Sequence, residues 1–138
     1  MVTGILDYSA YIPKYRVKAK DVENAWGEFL ATGITEKAIP CPDEDVITMA
    51  TEACIGIINR GIANIEEVKA IFFATTTPHY VEKELASTLV TFLGIPKVFT
   101  ANFGYSIKSG SSALIAALTY APVSYTHLRA HETSLHLV

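Results

Sequence analysis

Two short apolar runs, each coupled to a helical pattern, restrict the possible folds of this chain more than any other feature. The runs VKAIFFATTT (68–77) and KVFTANF (97–103) are rich in β-branched and aromatic residues, as buried strands are. The first leads into EKELASTLVTFLG (82–94), a helical pattern ending at Gly94, and the second into SALIAALTYA (112–121). This alternation of strands and helices predicts an α/β fold.

The last of these helices is unusual because SALIAALTYA contains no charged residue. We predict that the helix starts near Ser109 to Ser111 and is buried on every side, between two sheets.

The first half of the chain repeats the strand-then-helix order. VTGILDYSAYIP (2–13) predicts an apolar strand ending at Pro13, and KAKDVENAWGEFL (18–30) predicts a helix. A further helix is predicted in IPCPDEDVITMATEACIGIINRG (39–61), which stops at Gly61. The apolar faces of these two helices comprise Val22, Ala25, Trp26 and Phe29 in the first, and Val46, Met49, Ala50, Ala53 and Ile57 in the second. The acids Asp43, Glu44 and Asp45 are interpreted as first-turn charges that favour the dipole of the second helix.

Composition narrows the class of protein. Half of the 138 residues are hydrophobic, 18% are charged and the net charge is -3, which is typical of one globular domain or part of a larger one. No apolar run is long enough to cross a bilayer, and no basic cluster suggests a nucleic-acid or membrane partner. The first residues lack the order of a signal peptide, and two cysteines form no disulfide or metal framework, so we predict a cytoplasmic protein without a bound cofactor.

The last 17 residues differ in kind from the rest. Pro122 interrupts the apolar helix, and His127 and His131 are spaced as a metal-binding pair on a helix would be. Carboxylates and cysteines to complete such a site are scarce, however, and VSYTHLRAHET (123–133) resembles one reading frame of a transposon-end adaptor used in sequencing libraries. We therefore predict a domain at 1–121, without a metal site, and a non-native, adaptor-derived tail at 122–138.

A polar turn, ANFGYSIKSGSSAL (101–114), precedes the last helix, and Ile107 lies at its point. Several side chains near this turn and elsewhere could carry chemistry, but the sequence favours structural roles for them. Ser109 or Ser111 is predicted to cap the helix, and no base is visible that could activate these serines or Ser106 and Ser112. Lys108 could bind a phosphate of a ligand, although a solvated charge is the simpler interpretation. Cys41 is interpreted as an incidental loop thiol, Cys54 as a packing residue and His79 as a loop histidine.

Four segments carry a resemblance to a known family: GILDYSAYIPKYRVK, PDEDVITMATEA, AIFFATTTPHYVEK and the turn just described. Together they resemble the amino-terminal part of 3-hydroxy-3-methylglutaryl-CoA synthase of the archaeal and bacterial type, over essentially all of 1–120. That family belongs to the thiolase superfamily, as does ketoacyl-ACP synthase III. The resemblance implies a thiolase-like fold in five α/β/α/β/α layers, of which this chain would hold most of the amino-terminal half.

The resemblance also implies a catalytic role for this turn in the family. In the family a cysteine at this strand-to-helix turn is acylated by a thioester, and the matching position here is Ile107, with Gly110 at the close-packed helix start. The family's glutamate, a general acid/base, corresponds to Thr76. The catalytic histidine and its companions belong to a later part of the family that this chain does not contain. No catalytic residue is therefore predicted to be intact.

Two function classes remain open on this basis. One is an acyl-CoA-condensing enzyme of the hydroxymethylglutaryl-CoA synthase type, or a ketoacyl-ACP synthase III-like acyltransferase, with an altered turn. The other is a non-catalytic thiolase-fold partner subunit. In either case the resemblance implies acyl-CoA as the ligand and, in the full-length protein, a homodimer or a complex with a thiolase.

Overall fold

The computed structural model describes residues 3–28, 32–62, 64–80, 82–95 and 97–121. These residues fall into two compact units, one made of Ile12–Asp45 and the other of the described parts of Met1–Tyr11 and Val46–Val138. Along the chain the elements are β1 (Tyr15–Lys18), α1 (Ala19–Trp26), β2 (Glu36–Ile39), α2 (Val46–Ile58), a 3-10 turn (Ile65–Glu67), β3 (Ala70–Ala74), α3 (Leu85–Leu93), β4 (Phe99–Phe103) and α4 (Ser109–Tyr120).

A pair of parallel strands forms the centre of the larger unit. Strand β3 pairs with β4 in a register that runs from Ala70 opposite Phe99 to Ala74 opposite Phe103. All five residues of β3 are buried, because helices cover both of its faces. The two predicted strands and the helix between them are thereby confirmed.

Alternation along β3 divides the core into two clusters. Ile71 and Phe73 belong to a cluster with apolar side chains of α2 and α3 that include Val46, Ala50, Cys54, Leu85 and Leu89. Ala70, Phe72 and Ala74 belong to the second cluster, with Ala113 and Ala117 of α4. The small alanines on the α4 side allow that helix to approach the sheet closely.

Side chains of β4 hold the start of α3 in place. The Oδ1 atom of Asn102 accepts a hydrogen bond from the backbone N–H of Ala86 at 2.9 Å. Thr100 Oγ1 donates to Glu84 Oε1 at 2.8 Å, and Ser87 Oγ donates to the other oxygen of the same carboxylate. At its other end α3 stops as predicted at Gly94, whose φ of +65° suits glycine.

The predicted amino-terminal strand is wrong for residues 3–13, none of which is in a strand. This segment is instead held along α2. Arg60 Nη2 lies 2.8 Å from Asp7 Oδ2 and donates to the carbonyl oxygen of Tyr8, while Ser9 lies directly over Gly56. The segment leaves Ile5, Leu6 and Tyr8 exposed. An apolar run forms a strand only when another strand is available to pair with it. Here the run lies against a helix instead.

The smaller unit contains an antiparallel strand pair that the sequence did not predict. Strand β1 pairs with β2, from Tyr15 opposite Ile39 to Lys18 opposite Glu36. The predicted helix that follows β1 is confirmed as α1, but none of its residues is fully buried and Trp26 is 86% exposed. The apolar face predicted for this helix therefore covers no core within the described residues of the unit.

Helices α2 and α4 lie at their predicted positions, but two details of the prediction are wrong. The acids Asp43, Glu44 and Asp45 precede Val46, where α2 begins, so they do not form its first turn. Only three residues of α4 are buried, all along one stripe: Ser109, Ala113 and Ala117. In this chain α4 is thus not enclosed on every side, and Ile115 is 64% exposed. Among the described residues, no helix has the length and apolar character required to cross a bilayer.

Candidate functional site

The candidate site lies at the edge of the sheet where β3 and β4 both end. Because the strands are parallel, their carboxyl ends meet at the same edge. The backbone N–H of Thr75 donates to the carbonyl oxygen of Phe103 at 3.0 Å, which continues the ladder by one residue beyond β3. The loop after β3 and the turn before α4 consequently start side by side.

Ser106 organises the turn between β4 and α4. Its Oγ accepts a hydrogen bond from the N–H of Lys108 at 3.2 Å, and its carbonyl oxygen accepts one from the N–H of Ser109 at 3.0 Å. Ser109 Oγ donates to the same carbonyl at 2.5 Å and is buried. Just before these residues, Tyr105 adopts a positive φ of 62°, which reverses the chain tightly.

The predicted capping role of Ser109 and Ser111 is wrong. Lys108 occupies the N-cap position of α4 and makes no side-chain cap hydrogen bond. The helix start is instead stabilised by Ser106, a residue outside the helix, through a local serine turn. The sequence contained four serines within seven residues, and propensity alone could not decide which of them would bond to the backbone.

Ile107 is the most exposed large apolar side chain of the described residues, at 94% of its full accessibility. It directly precedes the N-cap of α4, where backbone N–H groups and the helix dipole favour negative charge. Such a position would activate a thiol by favouring its thiolate, but an isoleucine side chain has no atom that can ionise or attack. The turn therefore presents a chemically inert side chain to solvent at a helix start.

On the neighbouring loop, the structure distinguishes Thr75 from Thr76. Thr76 is exposed, whereas Thr75 is only 6% exposed and its Oγ1 accepts a hydrogen bond from the N–H of Thr77 at 3.1 Å. The buried hydroxyl at the end of β3 thus belongs to Thr75, a residue that sequence reasoning passed over. In a run of three threonines the position at which the strand ends could not be read from residue type.

Both thiols of the described structure are poor nucleophiles. Cys54, a residue of α2, is fully buried in the core, as predicted, and burial raises its pKa to about 12. Cys41 lies in a loop, as predicted, with its backbone N–H bonded to Glu44 Oε2 at 2.7 Å. Burial and the nearby Asp43 and Glu44 carboxylates raise the pKa of Cys41, outweighing a side-chain hydrogen bond with Tyr15 that lowers it. Neither thiol forms a disulfide.

The other candidate side chains, His79 and Lys108, lie on the protein surface. His79 is an exposed loop residue, as predicted, and Lys108 is exposed at the turn. Within the described ranges no group of three or more histidine, cysteine, aspartate or glutamate side chains could hold a metal ion. The predicted tail at 122–138, with His127 and His131, lies outside the described residues.

Comparison with solved structures defines the class of fold. The chain superposes on β-ketoacyl-acyl carrier protein synthase III from Thermus thermophilus with a TM-score of 0.80 and 24% identity, over 90% of this chain and 40% of that one. A complex of MvaS with 3-hydroxy-3-methylglutaryl coenzyme A gives a TM-score of 0.78 and 22% identity, over 89% and 31% of the two chains. The fold is therefore thiolase-like, as predicted.

Within that class, sequence relatives identify the family. Over 118 residues the chain is 34% identical to the hydroxymethylglutaryl-CoA synthase of Thermococcus onnurineus, covering 85% of this chain and 33% of the relative. It is 35% identical over 124 residues to the synthase of Caldivirga maquilingensis, covering 83% and 35%. No protein-family model matches the chain. The chain belongs to the hydroxymethylglutaryl-CoA synthase family and spans about a third of the length of these curated relatives, at their amino-terminal end.

Proposed function

We propose that this chain is the amino-terminal part of an acyl-CoA-condensing enzyme of the hydroxymethylglutaryl-CoA synthase type, with an isoleucine at the position of the nucleophile. Such an enzyme joins acetyl-CoA and acetoacetyl-CoA into hydroxymethylglutaryl-CoA, on the mevalonate route to isoprenoids. The observation that carries the proposal is the tight turn between β4 and α4, which presents Ile107 at a helix start beside the carboxyl end of β3. Because the chain spans about a third of its relatives, this activity belongs to a longer polypeptide.

We further propose that the chain forms no acyl-enzyme with the residues it has. Ile107 occupies the position that the resemblance gives to the nucleophile, and its side chain cannot attack a thioester. Cys54 cannot substitute, since it is buried with a pKa of about 12, and the raised pKa of Cys41 leaves little thiolate near neutral pH. The hydroxyl of Thr76, at the proposed glutamate position, does not ionise near neutral pH and so cannot act as the general acid/base.

A second candidate is a non-catalytic thiolase-fold subunit that binds an acyl-CoA or a partner without forming a covalent intermediate. The exposed Ile107 favours it, because the turn keeps its hydrogen bonds while lacking the nucleophile. A homodimer, or a complex with a thiolase, would supply the remaining groups.

A ketoacyl-ACP synthase III-like acyltransferase is the third alternative, supported by the fold alone. Condensation of the acyl group with a thioester of acyl carrier protein, in place of acetoacetyl-CoA, would distinguish it.

Restoring a thiol at position 107 tests whether the turn still activates a nucleophile. We expect Ile107→Cys to react with iodoacetamide roughly threefold faster or more at pH 7 than a cysteine away from a helix start, because a helix amino-terminus lowers the pKa of a thiol. Ile115→Cys is the matched control, since it replaces another exposed isoleucine in the middle of α4. Equal rates for the two variants would show that the turn is not activating.

The unaltered chain supplies the complementary measurement. After incubation with acetyl-CoA, its intact mass should show no acetyl adduct, because none of its described thiols is both accessible and readily ionised. A stoichiometric adduct on any residue would contradict the proposed loss of the nucleophile.

A further inference from the structure

Thr75 is a buried polar residue at the point where the loop after β3 meets the turn before α4. It follows the five buried apolar residues of β3 and is itself only 6% exposed. A valine of similar shape could be buried here without a polar group, whereas burying a hydroxyl costs free energy unless the hydroxyl is hydrogen-bonded. A threonine at this position therefore indicates a role for its hydroxyl.

The side chain of Thr75 acts on the loop after β3. Its Oγ1 accepts a hydrogen bond from the backbone N–H of Thr77 at 3.1 Å. Because this bond joins the two neighbours of Thr76, it holds the residue between them in a bend of the chain, where Thr76 is exposed.

The backbone of Thr75 contacts the other segment of the candidate site. Its N–H donates to the carbonyl oxygen of Phe103, the last residue of β4, at 3.0 Å. A Cβ atom at Gly104 would lie 3.7 Å from the Thr75 carbonyl oxygen, which is ordinary van der Waals contact. The turn that presents Ile107 begins at these two residues. One residue therefore contacts both the loop and the turn.

We infer that Thr75 is a positioning residue that sets positions 76 and 107 relative to each other. The inference rests on the proposed function, because these are the positions that the resemblance gives to the glutamate and the cysteine. Reacting groups must be held in a defined geometry, and Thr75 supplies it through two bonds. Its backbone attaches the loop to the end of β4, and its hydroxyl fixes the bend at Thr76.

Charge coupling between the two positions reports how closely they are held. In the Ile107→Cys variant, the further substitution Thr76→Glu adds a carboxylate, and a nearby like charge disfavours the thiolate. Iodoacetamide is uncharged, so its reaction rate follows the thiolate fraction. We expect Thr76→Glu to slow alkylation roughly threefold or more on the rising part of the pH–rate profile. The other titratable groups of the two segments are the same in every variant: His79, Tyr80, Tyr105 and Lys108.

Thr75→Val, introduced with and without Thr76→Glu, tests the inference. It removes the acceptor of the Thr77 N–H, so the effect of Thr76→Glu on the alkylation rate should largely disappear. Thr75→Ser keeps the hydroxyl and should restore the effect. A residue that only stabilised the fold would lower the free energy of unfolding without changing this coupling. The matched control is Thr119→Val, which removes a hydroxyl bonded to the Ile115 carbonyl oxygen within α4 and should leave the coupling unchanged.

The outcomes separate the inference from the proposed function. If Thr76→Glu slows alkylation and Thr75→Val leaves that effect unchanged, the inference is wrong and the proposed site stands. If Thr76→Glu has no effect while Thr75 is intact, both are wrong, because the two positions are then not neighbours. If Thr75→Val loses its circular dichroism signal, Thr77→Pro decides, since it removes the N–H donor of the same hydrogen bond at an exposed position. An unchanged effect of Thr76→Glu in that variant would also overturn the inference.

Discussion

Single residues decide the chemistry of the candidate site, and the sequence identified them only in part. The absence of a nucleophile at Ile107 follows from residue type, and the structure adds that this side chain is presented to solvent at a helix start. Which threonine is buried at the end of β3, and which serine bonds to the turn, depend on where a strand ends and where a hydrogen bond forms. Those facts depend on tertiary structure, which the local sequence does not contain.

At this scale Cys54 provides a test of the core. Its pKa of about 12, raised from 9.0 by burial, means that the folded chain holds this proton after the unfolded chain has lost it. The contribution of the protonated Cys54 thiol to the free energy of unfolding is therefore complete below pH 9. It falls as the pH rises from 9 towards 12, by up to roughly 4 kcal/mol. We expect the free energy of unfolding in urea to decline over this range.

The matched variant is Cys54→Ala, which removes the titrating thiol. It should be less stable at pH 7 because of the cavity that it leaves, yet its stability should depend less on pH above 9. The same pH slope in both proteins would show that Cys54 is not the group responsible.

At the scale of elements, the sequence predicted those that bury an apolar face. Helix α2, strand β3, helix α3, strand β4 and helix α4 all lie where hydrophobic periodicity placed them. The β1–β2 pair was missed because each strand contains two charged residues in four and is mostly exposed, so no apolar run marks either YRVK or EKAI. Their partnership also spans the whole of α1, and such non-local pairing leaves no local signal.

Asn102 allows a prediction at the scale of elements, because its Oδ1 accepts the hydrogen bond from the Ala86 N–H that joins β4 to α3. We expect Asn102→Ala to lower the free energy of unfolding by about 1 kcal/mol, since it leaves a helix-terminal donor without its acceptor. Amide hydrogen exchange should accelerate first at the start of α3.

Asn102→Asp is the control for this substitution. It keeps an oxygen that can accept from Ala86 and adds a negative charge at a helix start, so it should retain most of the stability. Comparable losses in both variants would mean that the contact does not stabilise the unit.

At the scale of the whole molecule, helix α4 leaves apolar side chains exposed among the described residues. Its buried stripe of Ser109, Ala113 and Ala117 packs on β3 and β4, while Ile115 and Leu118 are exposed on a helix without charged residues. The absence of charge led to the prediction of burial on every side, and the curated relatives that the chain matches are about three times as long as the chain. We propose that the remainder of the full-length protein covers this face.

The exposed side of α4 therefore predicts how the isolated chain behaves in solution. We expect concentration-dependent self-association in sedimentation velocity, because exposed apolar helix faces associate to remove their surface from water. The double variant Ile115→Lys and Leu118→Lys should shift the chain towards monomer, since neither position belongs to the buried stripe of α4. The matched control is Phe92→Lys on α3, an equally exposed apolar position on another helix, which should leave association unchanged. A monomeric, cooperatively unfolding parent chain would show that α4 needs no further cover.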